Sequence, residues 1–191
     1  VVKGDRIAAF VPNCPEAIIA MLATASIGAI WSSWSPDFGV NGVVDRFGQI
    51  EPKVLFATNG YHYNGKRIDS LPVVRSIAAA IPGIETVVVV PFLADNAVAS
   101  GEFVAWDDFA TATDDLAFES VEFNHPLYIM YSSGTTGVPK CIVHGHGGTL
   151  LKHLNELGLH TDVSAADRVF YFTTCGWMMW NWLVSNLALG A

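Results

Sequence analysis

Ten consecutive residues concentrate the chemistry of this chain: Tyr131-Ser132-Ser133-Gly134-Thr135-Thr136-Gly137-Val138-Pro139-Lys140. Hydroxyl side chains stand around a pair of glycines, and a lysine closes the run. Glycines let backbone N–H groups turn inward and approach a ligand closely. Ser132, Ser133, Thr135 and Thr136 add hydroxyl donors, and Lys140 adds a mobile positive charge. Together these groups suit the oxygens of a polyphosphate. An apolar run from Leu127 to Tyr131 leads in, and Cys141-Ile142-Val143 leads out. That pattern predicts strand, polar loop, strand.

The run is not a Walker loop, which places four residues between its glycines and a Ser or Thr directly after its lysine. Here two residues separate Gly134 from Gly137, and Cys141 follows Lys140. No hydroxyl is therefore placed there for magnesium. No helix start is marked at the loop, so a helix dipole is not required. The same residue types also build solvated turns, and composition alone leaves that alternative open.

Further along, Gly176-Trp177-Met178-Met179-Trp180-Asn181-Trp182 is rich in aromatic and thioether side chains. Such a run packs a core helix end as readily as it lines a small, shaped cavity. His144, His146, His153 and His160 cluster around the stretch that follows the loop. His146 and His153 are seven residues apart, a spacing that could share a helix face, but no HExxH-type carboxylate pattern accompanies them. A metal site is not expected. Asp37 suits a turn or cap, and neither a glycine-rich GxGxxG loop nor an HRD segment supports a kinase reading of its Asp-Phe-Gly.

The elements that must position these residues alternate. Arg6 to Val11 reads as a buried strand, followed by a helix from Ala17 to Ala29 that Asn13 would cap and Gly28 would end. Trp31 to Gly39, rich in Ser, Trp and Pro, reads as a loop, and Asn41 would cap a second helix, with Val43, Val44, Phe47 and Ile50 inward and Asp45, Arg46 and Gln49 outward. Lys53 to Thr58 is the next strand, and a hinge from Asn59 to Gly65 follows. A third helix begins near Asp69 to Pro72 with Val73, Val74, Ile77 and Ile81 as its core stripe. Thr86 to Val90 is a continuous β-branched strand of the parallel kind. Alternation of this type predicts an α/β fold around a mostly parallel sheet flanked by helices. From Phe92 to Asn124 an acidic excursion interrupts it, with a short helix near Trp106 to Ala110. After the loop, a helix from Gly148 to Leu159 would turn Leu150, Leu151, Leu154 and Leu157 inward. Arg168 to Thr173 reads as a strand and Trp177 to Leu189 as a helix.

Bulk properties narrow the partners. The 191 residues are 51% hydrophobic, with a mean hydropathy of +0.37, ample for a core. A net charge of −8, with no basic stripe against it, argues against nucleic acid and anionic membranes but leaves room for ATP. The apolar run from Ala17 to Trp31 is too short to cross a bilayer comfortably. No basic-then-apolar leader is present, and Cys14, Cys141 and Cys175 form no CxxC pair. They read as buried, reduced thiols of a cytoplasmic protein.

The ten-residue loop resembles the phosphate-binding signature of the adenylate-forming enzymes, which include acyl-CoA synthetases, luciferases and the adenylation domains of peptide synthetases. Trp31 to Phe56, His125 to Gly145 and Thr173 to Trp182 are similar to the acetoacetyl-CoA synthetases, or acetoacetate–CoA ligases, within that superfamily. The resemblance runs almost from end to end and is weakest between Asp95 and Glu122. It implies that residues 1–191 are a fragment of a large N-terminal AMP-binding domain, without the rest of the nucleotide site or the C-terminal lid domain. It implies ATP, magnesium and CoA as reactants, with acetoacetate as the acid. Ser132, Ser133, Gly134, Thr135, Thr136, Gly137 and Lys140 become the phosphate-binding residues; Trp177, Met178 and Met179 line the acyl pocket. His144 would help shape the nucleotide site. The family's catalytic lysine and adenine-binding motifs have no match in this sequence, so the fragment alone is expected to be inactive. An acetyl- or propionyl-CoA synthetase-like enzyme and a non-catalytic α/β module are the alternatives.

Overall fold

The structure, a computed structural model, describes residues 1–94, 101–111, 116–132 and 137–191. Strand β1 (Arg6–Phe10), helix α1 (Pro15–Ser26), β2 (Ile30–Trp34), α2 (Val40–Ile50) and β3 (Val54–Thr58) come first. A small hairpin, β4 (Gly60–Tyr63) and β5 (Lys66–Asp69), precedes α3 (Leu71–Ala80) and β6 (Thr86–Val90). Then follow β7 (Val104–Ala105), α4 (Trp106–Phe109), β8 (Pro126–Tyr131), β9 (Cys141–Gly145), α5 (His146–Leu154) and α6 (Met178–Val184). A wider π-type turn, Asn155–His160, extends α5, and a 3-10 turn, Ser185–Leu189, extends α6.

Seven strands form one sheet in the order β7-β6-β3-β1-β2-β8-β9, and β4-β5 stand apart. Every neighbouring pair is parallel except β8 and β9. Side chains alternate across the sheet, so each strand feeds two cores. Ile7, Ala9, Trp31, Phe56 and Tyr128 pack under α1 and α6 on one face. Ala8, Phe10, Trp34, Leu55 and Ile129 pack under α2 and α3 on the other. The expected mostly parallel α/β fold is what forms.

Local readings differ in places, each for a physical reason. Cys14 rather than Asn13 stands at the N-cap of α1, with no side-chain cap bond. Asn13 Oδ1 instead accepts from the Trp180 indole at 2.9 Å. The first residues of the stretch read as a loop, up to Trp34, belong to strand β2, fully buried between β1 and β8, and Gly39 rather than Asn41 precedes α2. The stretch read as a hinge is the β4-β5 hairpin, turned at Asn64 and Gly65 with φ of 48° and 71°. An Asn-Gly pair is the residue choice that such tight turns require. The acidic excursion adds the edge strand β7, which pairs Val104 with Val88.

The larger departures lie after the loop. Leu150 and Leu151 are 54% and 61% exposed, while His153 and Leu157 turn inward. His153 Nδ1 meets Ser185 Oγ at 2.7 Å, a polar contact that orients the helix face. Arg168–Thr173 is not a strand; Phe170 and Phe172 are exposed, and no described strand pairs with them. The thiols are free: Cys14 and Cys175 are buried as expected, but Cys141 is exposed at the start of β9. Among the described residues, no helix is long and apolar enough to cross a membrane.

Candidate functional site

Strand β8 runs parallel to β2, with Tyr128 beside Trp31. Tyr131 therefore emerges at the carboxyl edge of the sheet, where open α/β sheets hold their ligands. The chain then reverses into β9, and Tyr131 pairs with Cys141 across the antiparallel ladder. Just above that pair the loop is closed by two bonds. The Ser132 N–H donates to the Lys140 carbonyl at 3.0 Å, and the Lys140 N–H donates to Ser132 Oγ at 3.0 Å.

This neck brings the first hydroxyl of the signature against its lysine. Pro139 is buried beneath it, Lys140 is exposed, and no described residue pairs with the Lys140 ammonium. Gly137 adopts φ 124°, a backbone conformation that side chains rarely tolerate. Ser133, Gly134, Thr135 and Thr136 lie outside the described residues. β8 and β9 are the strands expected on either side of the run, and the helix α5 begins only after β9.

The foot of the loop rests on buried polar and aromatic groups. Ser32 Oγ lies 2.9 Å from the Ile129 carbonyl and 2.9 Å from the Tyr131 hydroxyl. The serine proton goes to the carbonyl, and the phenol proton completes the second bond. Burial raises the Tyr131 phenol well above its ordinary value, so it stays protonated and available as a donor. Trp34 meets Tyr131 edge-on at 5.9 Å. Over Trp34, 4.2 Å from the ring centroid, lies the Arg46 guanidinium. Its Nη1 donates to the Gly42 carbonyl at 2.7 Å. Arg46 does not look outward, as its helix position suggested: an aromatic face offers a cation a better place than open water.

The Gly-Trp segment docks on the far side of the same tryptophan. A Cβ on Gly176 would stand 3.0 Å from Trp34 Cε3, tight enough that the ring would have to shift by a few tenths of an ångström. Ser33 Oγ donates to the Cys175 carbonyl at 2.7 Å and accepts from the Trp31 indole at 3.1 Å. Trp177, Met178 and Met179 then line a depression of about 350 Å³ together with Tyr171 and Phe172. The predicted acyl residues are thus brought together, and Trp34 meets both Gly176, just before them, and Tyr131 at the loop's foot. Ser32, Trp34 and Arg46 were not singled out by sequence reasoning. The signal for Ser32 and Trp34 was the WSSW run itself, an unusually polar stretch for a strand with five buried residues.

The histidines do not converge. His144 faces Tyr128 at 5.0 Å and His146 faces His125 at 5.7 Å. Burial lowers the pKa of His144, His146 and His153, which favours their neutral forms. Among the described residues, no group of three His, Cys, Asp or Glu side chains could hold a metal ion.

Comparison with known proteins agrees with this architecture. Residues 1–191 match the family described as AMP-binding enzyme. The acetoacetyl-coenzyme A synthetase of Rhizobium meliloti (strain 1021) is 56% identical over 98% of this chain and 29% of that protein. A malonamoyl-CoA synthetase of Penicillium aethiopicum is 47% identical over 98% of this chain and 27% of its own length. The solved acetoacetyl-CoA synthetase from Streptomyces lividans superposes with a TM-score of 0.95 at 45% identity, covering 100% of this chain and 29% of that one. The chain therefore spans less than a third of the relatives it matches. With the whole sequence matched, the chain belongs to the AMP-binding enzyme family.

Proposed function

We propose that this chain is the phosphate-gripping part of an ATP-dependent acetoacetate–CoA ligase. The observation that carries the reading is the Ser132–Lys140 neck, which presents an exposed ammonium at the carboxyl edge of the sheet. Ser132, Ser133, Gly134, Thr135, Thr136, Gly137 and Lys140 would hold the β- and γ-phosphates of ATP. The acid's carboxylate oxygen attacks the α-phosphorus, the bond to the bridging oxygen breaks, and pyrophosphate leaves. The CoA thiolate then attacks the acyl carbon of the adenylate, and AMP leaves. Fixed donors at the departing phosphates stabilise charge as it moves onto pyrophosphate, and they hold the triphosphate in line for displacement.

The depression beside Trp177, Met178 and Met179 is the proposed acyl site. The acids named for two relatives, acetoacetate and malonamate, share one skeleton and differ only by methyl against amide nitrogen. That likeness supports a short acid with a second carbonyl as the substrate class. Magnesium is not given protein ligands here: the described residues supply no converging carboxylates, and the metal would arrive with the triphosphate.

The test is acid-dependent exchange of labelled pyrophosphate into ATP by the whole gene product. Acetoacetate should support exchange better than acetate or propionate, and residues 1–191 alone should support none. Equal exchange with all three acids would point to a broader acyl-CoA synthetase. No exchange and no ATP binding by the whole product would leave a non-catalytic module.

A further inference from the structure

The loop's outgoing foot is held by a side chain that belongs to neither the loop nor its strands. Gln49, on α2, donates from Nε2 to the Pro139 carbonyl at 2.8 Å and to the Asp45 carbonyl of its own helix at 2.6 Å. Its Oε1 accepts a weak bond from the Cys141 thiol at 3.7 Å. One amide therefore uses both its donors and its acceptor, and it binds the residues on either side of Lys140. The same helix reaches the incoming foot as well, where the Phe47 ring stands 6.4 Å from Tyr131.

We infer that Gln49 is a positioning residue for the phosphate loop, fixing where the Lys140 backbone stands relative to the sheet; the inference rests on the ligase reading above. The neck bonds between Ser132 and Lys140 set the distance between the two feet. They do not tie the feet to the core. Gln49 does, because α2 is anchored by Val43, Phe47 and Ile50, all buried against the sheet. A lysine is a point charge on a flexible stem, so its reach is set mainly by its backbone. Pro139 has no N–H of its own, which leaves its carbonyl as the group through which the foot can be held.

The test compares Gln49→Met with the unaltered whole gene product in pyrophosphate exchange. Methionine keeps the length of the side chain and removes the amide donors. The expected result is a rise in the KM for ATP of roughly threefold to tenfold, as loss of one or two hydrogen bonds gives. The KM for the acid and the unfolding midpoint should stay close to those of the parent. An unchanged KM for ATP, or equal rises for ATP and acid, would overturn the inference. Should Gln49→Met fail to fold, Gln49→Glu keeps the shape and polarity, loses the same donors, and carries the same expectation. Lys140→Ala, measured alongside, separates the two levels. If it weakens ATP and the Gln49 variants do not, only the role of Gln49 falls; if it too has no effect, the ligase reading falls with it.

Discussion

In β1, β3 and β6, Phe10, Leu55 and Val88 are fully buried, whereas from β9 onward Val143, Leu151 and Phe172 are 56%, 61% and 89% exposed. Both regions are apolar in sequence. The first is covered twice, by α1 on one face and by α2 and α3 on the other. In the second, β9 pairs only with β8 among the described residues, and α5 turns two leucines outward. The candidate site lies at the border between them. Its feet, Tyr131 and Pro139, are held by the packed side through Ser32 and α2. Its lysine is exposed. Binding residues commonly stand on loops positioned by a rigid scaffold, and this border supplies both.

The sharpest way to break the contrast is to truncate one aromatic in each region. Phe47 is fully buried among Val43, Ile50 and Tyr131. Phe47→Ala should destabilise by about 3–5 kcal/mol, as large-to-small core changes do. In residues 1–191, where its ring is exposed, Phe172→Ala should fall within about 0.5 kcal/mol of the parent. Urea unfolding of the two variants reads both values. Comparable losses would mean that the second region is as well covered as the first.

The border itself is probed by Lys140→Ala. Charge-assisted contacts to phosphate are worth about 1.5–3 kcal/mol, so ATP affinity of the whole gene product should fall by roughly ten- to a hundredfold. Folding stability should not change, because the ammonium is exposed and has no described partner. Calorimetric titration with ATP and thermal unfolding separate the two effects.

Beneath the loop, Ser32→Ala should act in the opposite manner. It removes a hydroxyl that meets the Ile129 carbonyl and the Tyr131 phenol, both in the packed region. A buried polar group left without its partner costs about 1–3 kcal/mol. Unfolding should register that loss directly, with any effect on ATP secondary to it.

How much of this was readable follows the same division. The strands β1, β3 and β6 and the helices α1 to α3 were legible because their apolar patterns match their period, whereas β2 was missed because its Trp-Ser-Ser-Trp run reads as a loop until the sheet and the Cys175 segment bury it. The strand-loop-strand reading of Leu127 to Val143 held for a similar reason: glycine, proline and hydroxyl residues carry turn chemistry wherever they stand. Leu150, Leu151 and Arg168–Thr173 were misread because hydrophobicity states that a surface favours cover, not which segment supplies it. Arg46 was misread since an i, i+3, i+4 pattern ranks a charged residue as outward and cannot see Trp34 approaching from another strand. The grip of Gln49 on Pro139 joins positions ninety residues apart, which no local pattern encodes.

The smallest expected effect concerns two acidic residues, one in each region. Asp5, at the start of β1, accepts from the Val2 N–H at 2.8 Å and from Lys53 Nζ at 3.0 Å. The Val2 bond first, and Lys53 after it, hold its carboxyl below the ordinary value of 3.8. A carboxylate lowered on folding stabilises the fold fully above its unfolded pKa, and that contribution is lost as pH falls through the folded one. The parent should therefore lose stability below about pH 4 more steeply than Asp5→Asn, which lacks the ionisable group. Glu156, in the open region, is also lowered, chiefly by its bond to Lys152. That pair is exposed and one helical turn apart, so water and salt screen it. Glu156→Gln should leave the acid limb of the curve where the parent has it. Thermal unfolding between pH 3 and 7 compares the three proteins, and an identical acid limb for Asp5→Asn and the parent would show that the Val2 and Lys53 contacts add nothing to stability.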